Sequence, residues 1–320
     1  MSTLDAVIIG GGPTGLAAAL EARKLGLDYL VLEKGCVTNS IFRFPTHMVF
    51  FTTPELLEIG NLPMVCEREK PTRLEALKYY RRVVQTTGIK VRQYESVERL
   101  DRQDGEFCVH TSVSDYRARN VLIATGYYDT PNMLGVAGED LPHVSHYYKE
   151  AHPCFERDVV VIGGQNSAAE AALELYRAGA RVTLVHRREK LGESLKYWVR
   201  PDVENRIERG EIRAFMPAEA VSISHTHVRI RHGSGELEIP AHQVFALTGY
   251  RPTTTFFDQL GVEYDPEILV PQYDPETYET NVSGVFLAGS IMAGLRQKEI
   301  FIENGRFHGE AVMRAIARRS

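Results

Sequence analysis

Cysteine is scarce in this chain of 320 residues, which contains only Cys36, Cys66, Cys108 and Cys154. No two of them stand close enough for a CxxC redox pair or a CxxC-type zinc site, and the spacing does not fit a dense disulfide framework. The sequence therefore predicts free thiols, as in the reducing cytoplasm, and no metal site.

Long apolar runs and an excess of one charge are also missing. No segment approaches the roughly 18 apolar residues of a membrane span, and the first residues lack the basic and apolar regions of a signal peptide. The net charge is −5 at pH 7, without a long run of like charges. We therefore expect a cytoplasmic protein with neither nucleic acid nor a membrane as partner.

An internal repeat organises the chain. Residues 5–34 and 158–187 each contain a run of valine and isoleucine, a glycine-rich turn, an alanine-rich helical segment, a glycine and a second apolar run. Apolar runs without polar alternation are typical of strands in a parallel sheet that helices cover on both faces. The sequence predicts an α/β fold with two Rossmann-like dinucleotide-binding domains.

The first repeat has the fingerprint of a dinucleotide site. Its turn reads GGGPTG over residues 10–15, and such glycines permit a sharp turn and a close approach to a pyrophosphate. Glu33 ends the second predicted strand, where a carboxylate can accept hydrogen bonds from ribose hydroxyls. The predicted contacts are Gly10, Gly12, Pro13, Thr14, Gly15 and Glu33.

The second repeat departs from this pattern at two places. Gln165 replaces the second glycine of the turn, and His186, followed by Arg187 and Arg188, stands where the first repeat has Glu33. Guanidinium groups pair with phosphate, whereas an acid would repel a ribose 2′-phosphate, so we expect NADPH in preference to NADH. The predicted contacts are Gly163, Gly164, Gln165, Asn166, Ser167, His186, Arg187, Arg188 and Tyr250.

Two shorter glycine turns, at residues 123–126 and 246–252, follow apolar runs, and a further apolar run precedes Gly289. Together with the two dinucleotide turns they resemble the low-molecular-weight thioredoxin reductase branch of the flavoproteins, over nearly the whole chain. The resemblance implies a homodimer, with an FAD domain of residues 1–126 and 253–320 and an inserted NADPH domain of residues 127–252. It also implies FAD contacts at Lys34, Asn39, Ser40, Thr46, Ala124, Thr125, Gly126, Gly289, Ser290 and Ile300.

Thioredoxin reductase itself is contradicted, because Cys154 is the only cysteine in the stretch where that family has CxxC. The phrases KGCVTNSI (34–41), KYWVRPDVENRI (196–207) and IFIENGRFHG (300–309) are similar to the bacillithiol disulfide reductase group, which lacks CxxC. That resemblance implies NADPH-dependent reduction of a low-molecular-weight disulfide through FAD. Two alternatives stay open: an NADPH diaphorase that donates electrons to ferredoxin, flavodoxin or another protein, and a non-catalytic dinucleotide-binding redox sensor.

The residues of the acceptor reaction are less well defined. In the bacillithiol disulfide reductase group the turn commonly reads GGGPCG, but here Thr14 holds that position, and a hydroxyl cannot form a mixed disulfide. Either the flavin reduces the disulfide directly, or Cys36 or Cys154 substitutes, or the acceptor differs. Ser290 stands where thioredoxin reductases have an Asp. His146 is a candidate acid for a leaving thiolate.

Overall fold

The computed structural model describes residues 3–296 and 299–319. The chain forms two compact units. Unit 1 contains the described residues up to Phe42, Met48–Thr130 and those from Arg251 onward, whereas unit 2 contains Arg43–His47 and Pro131–Tyr250. In the order of the chain, unit 2 is therefore inserted into unit 1.

The described residues contain strands and helices in the following order along the chain. The strands are β1 (Leu4–Ile9), β2 (Tyr29–Glu33), β3 (Val91–Gln93), β4 (Val97–Gln103), β5 (Glu106–Thr111), β6 (Asp115–Ile123), β7 (Val144–Ser145), β8 (Asp158–Ile162), β9 (Arg181–Val185), β10 (Arg213–Phe215), β11 (Ala218–Ile223), β12 (His227–His232), β13 (Gly235–Pro240), β14 (Gln243–Ala246) and β15 (Val285–Leu287). The α-helices are α1 (Pro13–Lys24), α2 (Asn39–Phe42), α3 (Arg73–Thr87), α4 (Asn166–Arg177), α5 (Arg200–Glu208), α6 (Thr255–Leu260), α7 (Ile302–Gly305) and α8 (His308–Ala317). No helix in this part of the chain is long and apolar enough to cross a membrane.

Unit 1 is built on a seven-stranded sheet with the order β3-β2-β1-β6-β5-β4, in which β15 also pairs with β6. The strands β1, β2, β3, β6 and β15 are parallel to their neighbours in this set, while β4 and β5 are antiparallel. Ile9 lies opposite both Leu32 and Ile123, and Leu287 lies opposite Ile123 as well. The carboxyl ends of four parallel strands therefore meet at one edge of the sheet.

Unit 2 contains a five-stranded parallel sheet with the order β10-β9-β8-β14-β7 and a three-stranded antiparallel sheet, β11-β12-β13. Ile162 lies opposite Val185 on one side and Ala246 on the other. The carboxyl ends of β8, β9 and β14 consequently share an edge, as the corresponding ends do in unit 1.

Both faces of the parallel sheet in unit 2 are buried. Val159 and Val161 belong to the apolar cluster that contains the alanines of α4. Val160 and Ile162 belong to a second cluster, which contains apolar residues of the antiparallel sheet such as Ile230. Because successive side chains of a strand point to opposite faces, this burial confirms the interpretation of an apolar run without polar alternation.

One short segment differs from the expectation of a single FAD domain over residues 1–126. Arg43–His47 belongs to unit 2. The guanidinium carbon of Arg43 lies 4.0 Å from the ring centroid of Tyr147, and the Thr46 backbone N–H donates to the Lys149 carbonyl at 2.8 Å. These contacts join Thr46 to unit 2, whereas the sequence assigned it to the FAD domain, and its contact with FAD stays a prediction.

Candidate functional site

The first glycine turn of unit 1 is tightly enclosed on its protein side. Gly10 has a φ of +115°, and a Cβ atom there would lie 2.5 Å from the Ala124 carbonyl oxygen. A Cβ on Gly15 would overlap the Gly10 carbonyl. A Cβ on Gly12, by contrast, would have no atom within 4 Å. The turn therefore needs glycine for its own packing at Gly10 and Gly15 and leaves open space beside Gly12.

The Glu33 carboxylate ties this turn to the end of β2. Its Oε2 accepts the Gly11 backbone N–H at 2.7 Å, and its Oε1 accepts the Gly35 backbone N–H at 2.8 Å. Burial raises the pKa of Glu33, although the two backbone donors oppose the shift. Each oxygen has a further lone pair, so the carboxylate can still accept hydrogen bonds from ribose hydroxyls.

The helix that follows this turn presents backbone donors. α1 begins at Pro13, with Gly12 at the N-cap and no side-chain cap. The first N–H groups of a helix have no partner within the helix, and with the helix dipole they favour an anion. The open space at Gly12, the uncapped helix and the Glu33 carboxylate together fit the pyrophosphate and ribose of an adenine dinucleotide.

The glycine turns at the ends of β6 and β15 adjoin the first turn. A Cβ on Gly126 would lie 3.3 Å from the Ser290 Oγ, and a Cβ on Gly289 would lie 3.0 Å from the Thr14 Oγ1. Among the described residues, the buried Thr125 Oγ1 has no hydrogen-bond partner. Predicted contacts from four distant parts of the sequence are thus brought to one edge of the sheet.

The predicted contacts after β2 lie at the same end of unit 1. The Lys34 Nζ lies 3.1 Å from the Asp129 Oδ2, and Asn39 and Ser40 open the short helix α2. Ile300 packs beside Gly305, since a Cβ on that glycine would lie 3.4 Å from the Ile300 Cγ2.

The turn of unit 2 repeats this construction. Gly163 has a φ of +152°, and a Cβ there would overlap the Leu247 carbonyl, as a Cβ on Gly10 would crowd the Ala124 carbonyl. A Cβ on Gly164 would overlap the ring of His186. The chain that leaves β14 therefore passes tightly over the first glycine, and His186 takes the place of Glu33.

His186 and the two arginines after it form an electropositive end to β9. Burial lowers the pKa of His186, and the charges of Arg188 and Arg187 lower it further, so the ring is neutral at pH 7. Both arginines are exposed, and neither forms an ion pair with another residue in the described ranges. Two guanidinium groups are therefore available to an anion.

Gln165 and Asn166 were predicted as dinucleotide contacts, but their side chains have protein partners. The Gln165 Oε1 accepts the Ser194 hydroxyl at 2.6 Å. Asn166 binds the backbone on both sides of Leu195, donating to the Ser194 carbonyl at 3.1 Å and accepting the Lys196 N–H at 2.9 Å. Sequence reasoning missed this role of Ser194. The only signal for it was Gln165 itself, a polar residue at a position where the turn normally has glycine.

Tyr250 lies at the end of the chain segment that leaves β14. Its ring stacks on Tyr147 with centroids 5.4 Å apart, and its hydroxyl donates to the His146 carbonyl at 2.9 Å. Ser167 is the second residue of α4. Both residues therefore lie at the edge of the sheet that carries the glycine turn.

His146, the candidate acid, has a protein acceptor at one of its two ring nitrogens. Its Nδ1 lies 3.2 Å from the Ala246 carbonyl, which can only accept, so this nitrogen carries a proton. Its buried Nε2 lies 3.2 Å from the Oε1 of Glu139 but has no hydrogen-bond partner among the described residues. The contact at Nδ1 fixes the orientation of the ring, and the role of His146 as an acid stays a prediction.

The two candidate thiols have the wrong environment for a nucleophile. Cys154 is only 4% exposed and lies in the core of unit 2, while Cys36 is half-buried. Burial raises the pKa of both thiols, whereas a reactive cysteine needs a lowered pKa. All four cysteines are free.

Known proteins resemble this chain along its whole length. Residues 7–289 match the pyridine nucleotide-disulphide oxidoreductase family. The chain is 49% identical to the bacilliredoxin reductase Bdr of Bacillus subtilis (strain 168), over 98% of each chain. It is also similar to the solved structures of the bacillithiol disulfide reductase Bdr from Bacillus cereus, with 43% identity and a TM-score of 0.96, and from Staphylococcus aureus, with 40% identity and a TM-score of 0.94. Each of these two alignments covers 100% of this chain and 100% of the solved structure.

These findings confirm the α/β fold of the two-domain flavoproteins and the resemblance drawn from the sequence motifs. The family match, over residues 7–289, covers both glycine turns. The chain belongs to the pyridine nucleotide-disulphide oxidoreductase family and is a flavin-dependent enzyme that uses a pyridine nucleotide.

Proposed function

We propose that this enzyme uses FAD and NADPH to reduce bacillithiol disulfide to two molecules of bacillithiol. The observation that carries the proposal is the similarity, along the entire chain, to two structures named bacillithiol disulfide reductase. The overall reaction consumes one NADPH and one proton for each disulfide, and yields NADP⁺ and two thiols. The free thiols favour a location in the reducing cytoplasm. The family resemblance favours a homodimer.

In this proposal FAD binds to unit 1. The backbone at Gly12 and the first turn of α1 hold the pyrophosphate, and the Glu33 carboxylate holds the adenosine ribose. Ser290 and Thr125, at the ends of neighbouring strands, would offer hydroxyls to the same cofactor. When bound, FAD supplies the hydride-accepting ring that no side chain can provide.

NADPH binds to unit 2. Gly163 and Gly164 allow the backbone to approach the pyrophosphate, and Arg187 and Arg188 pair with the 2′-phosphate. The neutral His186 supports the preference for NADPH, because this position lacks the carboxylate that would repel the extra phosphate.

The chain itself supplies no dithiol relay. Its four cysteines are free, and Cys108 and Cys154 are buried. Thr14, at the cysteine position of the related turn, sits beside Gly289 and can act only through its hydroxyl. We infer that the acceptor disulfide is reduced by the flavin without a protein mixed disulfide.

The name of the B. subtilis relative favours a second candidate acceptor, the disulfide of a bacilliredoxin protein. Reduction of a protein disulfide has the same electron balance as reduction of a small one. The two candidates differ in whether the small disulfide alone sustains turnover.

The test is anaerobic oxidation of NADPH by the flavin-loaded enzyme, with bacillithiol disulfide as the only acceptor and flavin absorbance followed simultaneously. We expect continuous NADPH consumption. If the flavin is bleached but consumption stops after one equivalent, the acceptor is a protein, and bacilliredoxin, ferredoxin and flavodoxin are then compared. A flavin that stays oxidised contradicts the assignment of NADPH.

A further inference from the structure

Residues 192–196, between β9 and α5, form a strap across the glycine turn of unit 2. The Gly192 backbone N–H donates to the Gly164 carbonyl at 2.7 Å. The Ser194 hydroxyl donates to the Gln165 Oε1 at 2.6 Å. The strap is therefore attached to two consecutive residues of the turn.

Asn166 secures the other end of the strap. Its side-chain amide donates to the Ser194 carbonyl at 3.1 Å and accepts the Lys196 N–H at 2.9 Å. One side chain therefore satisfies a backbone carbonyl and a backbone N–H of the strap. The Lys196 ammonium pairs with Glu170, one helical turn further along α4, at 2.6 Å. On the far side, the Arg200 guanidinium of α5 donates to the Gly192 carbonyl at 2.8 Å.

Gln165 and Gly192 are complementary in shape. A Cβ on Gly192 would overlap the carboxamide of Gln165, whose Oε1 is held by Ser194. The missing glycine of the turn is therefore matched by a glycine on the strap opposite it. This pairing explains why a bulky residue occupies a position that normally requires glycine.

The strap fixes the segment that carries the basic pair. The His186 N–H donates to the Phe215 carbonyl at 3.1 Å, which fixes the beginning of this segment, and the Gly192 N–H fixes its end. Arg187 and Arg188 lie between these two attachments. Their backbone is consequently held at both sides, which reduces the conformational entropy lost when the guanidinium groups bind an anion.

We infer that Gln165, Asn166 and Ser194 are positioning residues which set the preference for the 2′-phosphorylated dinucleotide by holding the strap. This inference rests on the proposed binding of NADPH to unit 2. The three side chains act through the backbone of residues 187–192, while Arg187 and Arg188 make the contact with the phosphate.

Trp198 provides a direct measure of the strap. It is the only tryptophan of the chain, it lies two residues beyond Lys196, and the residue is 51% exposed. Quenching of its fluorescence by acrylamide therefore reports the mobility of this end of the strap without any turnover. Calorimetric titration with NADP⁺ and NAD⁺ measures nucleotide affinity on the same purified full chain.

In Ser194→Ala we expect stronger quenching of Trp198 and a dissociation constant for NADP⁺ that rises about two- to tenfold, the effect of one hydrogen bond. The constant for NAD⁺, which lacks the 2′-phosphate, should change by less than about twofold. The matched control is Ser224→Ala, which removes a different serine hydroxyl of unit 2, one that bonds to the His227 backbone. Both readouts should stay at their wild-type values in the control.

A second pair of variants tests the shape complementarity. Gly192→Ala should weaken NADP⁺ binding, because its Cβ displaces the Gln165 carboxamide. The same change in a Gln165→Gly background should have a smaller effect, since the clash is then absent. Equal effects in the two backgrounds would show that these residues are not coupled.

The outcomes separate this inference from the proposed function. Unaltered quenching in Ser194→Ala, unaltered NADP⁺ affinity, or an equal loss of NADP⁺ and NAD⁺ affinity would each overturn the positioning role. A wild-type chain that binds NADP⁺ no better than NAD⁺ would overturn the assignment of NADPH itself, and the inference with it.

Discussion

Glu33 combines two functions in one buried carboxylate, because it holds the glycine turn through Gly11 and is placed to accept ribose hydroxyls. In Glu33→Gln one oxygen is replaced by an NH₂ group, which faces a backbone N–H and cannot accept. Loss of a hydrogen bond to a charged group costs about 1.5–3 kcal/mol. We expect the variant to lose most of its flavin during purification, measured as the ratio of flavin to protein absorbance. Full flavin content would contradict this assignment.

The raised pKa of Glu33 gives flavin binding a pH dependence. Because burial favours the protonated form, this carboxyl takes up its proton at a pH above the ordinary 4.5. The ionised form is the better acceptor, so we expect flavin to be released as the pH falls through this raised pKa. In the flavin-free chain the sign is opposite: the contribution of Glu33 to stability is lost as the pH rises through the same pKa. Dialysis of the wild-type protein at a series of pH values tests the first expectation, and a flavin content that does not change with pH would contradict it.

His308 is a second buried titratable group in unit 1. Its Nδ1 accepts the Gly289 N–H at 3.1 Å, and its ring lies 4.6 Å from that of Tyr278. Burial lowers its pKa below the ordinary 6.5. The unfolded chain therefore binds more protons as the pH falls below that value, and the stability contribution of the neutral ring is lost.

We expect the urea midpoint to decrease between about pH 7.5 and about pH 5.5 and to decrease less in His308→Gln, whose amide oxygen can still accept from Gly289. His186 contributes in the same direction in unit 2, because burial also lowers its pKa. An identical pH dependence in the variant and the wild type would show that His308 does not contribute.

At the scale of elements, the segment after β9 determines nucleotide preference in our proposal. Arg187→Ala/Arg188→Ala removes both exposed guanidinium groups and leaves the strand in place. Loss of two charge-assisted hydrogen bonds, each worth about 1.5–3 kcal/mol, should raise the Michaelis constant for NADPH by about 100-fold or more, with a much smaller change for NADH.

Steady-state kinetics with each nucleotide measures this effect. Arg209→Ala is a suitable control, since Arg209 is an exposed arginine of the same unit at the end of α5. Equal changes for NADPH and NADH would contradict a role of the two arginines in recognising the 2′-phosphate.

For the molecule as a whole, the assignment of one nucleotide to each unit can be tested by hydrogen exchange. We expect NADP⁺ to slow amide exchange at residues 163–168 and 187–196 of unit 2 and to leave residues 10–15 of unit 1 unaffected. Slower exchange at residues 10–15 alone would indicate that the nucleotides are assigned to the wrong units. The mass of the native assembly is measured on the same samples, and we expect it to be that of a homodimer.

Much of this organisation could be predicted from local sequence. Glu33 is the last residue of β2 and His186 directly follows β9, as the repeat indicates. Positions that depend on long-range packing could not be predicted. The partner of Gln165 lies 29 residues away, and the contacts that place Thr46 in unit 2 connect it to residues about 100 positions later in the chain.

The sequence by itself determined the two glycine turns, the strands that precede them and the change from carboxylate to a basic pair, because these features depend on backbone conformation and on neighbouring residues. Only the tertiary structure decided what those residues contact. In the tertiary structure His146 contacts the Ala246 carbonyl, Cys154 is buried and the strap lies against Gln165. Such contacts are set by packing between elements distant in the chain, which local pattern does not encode.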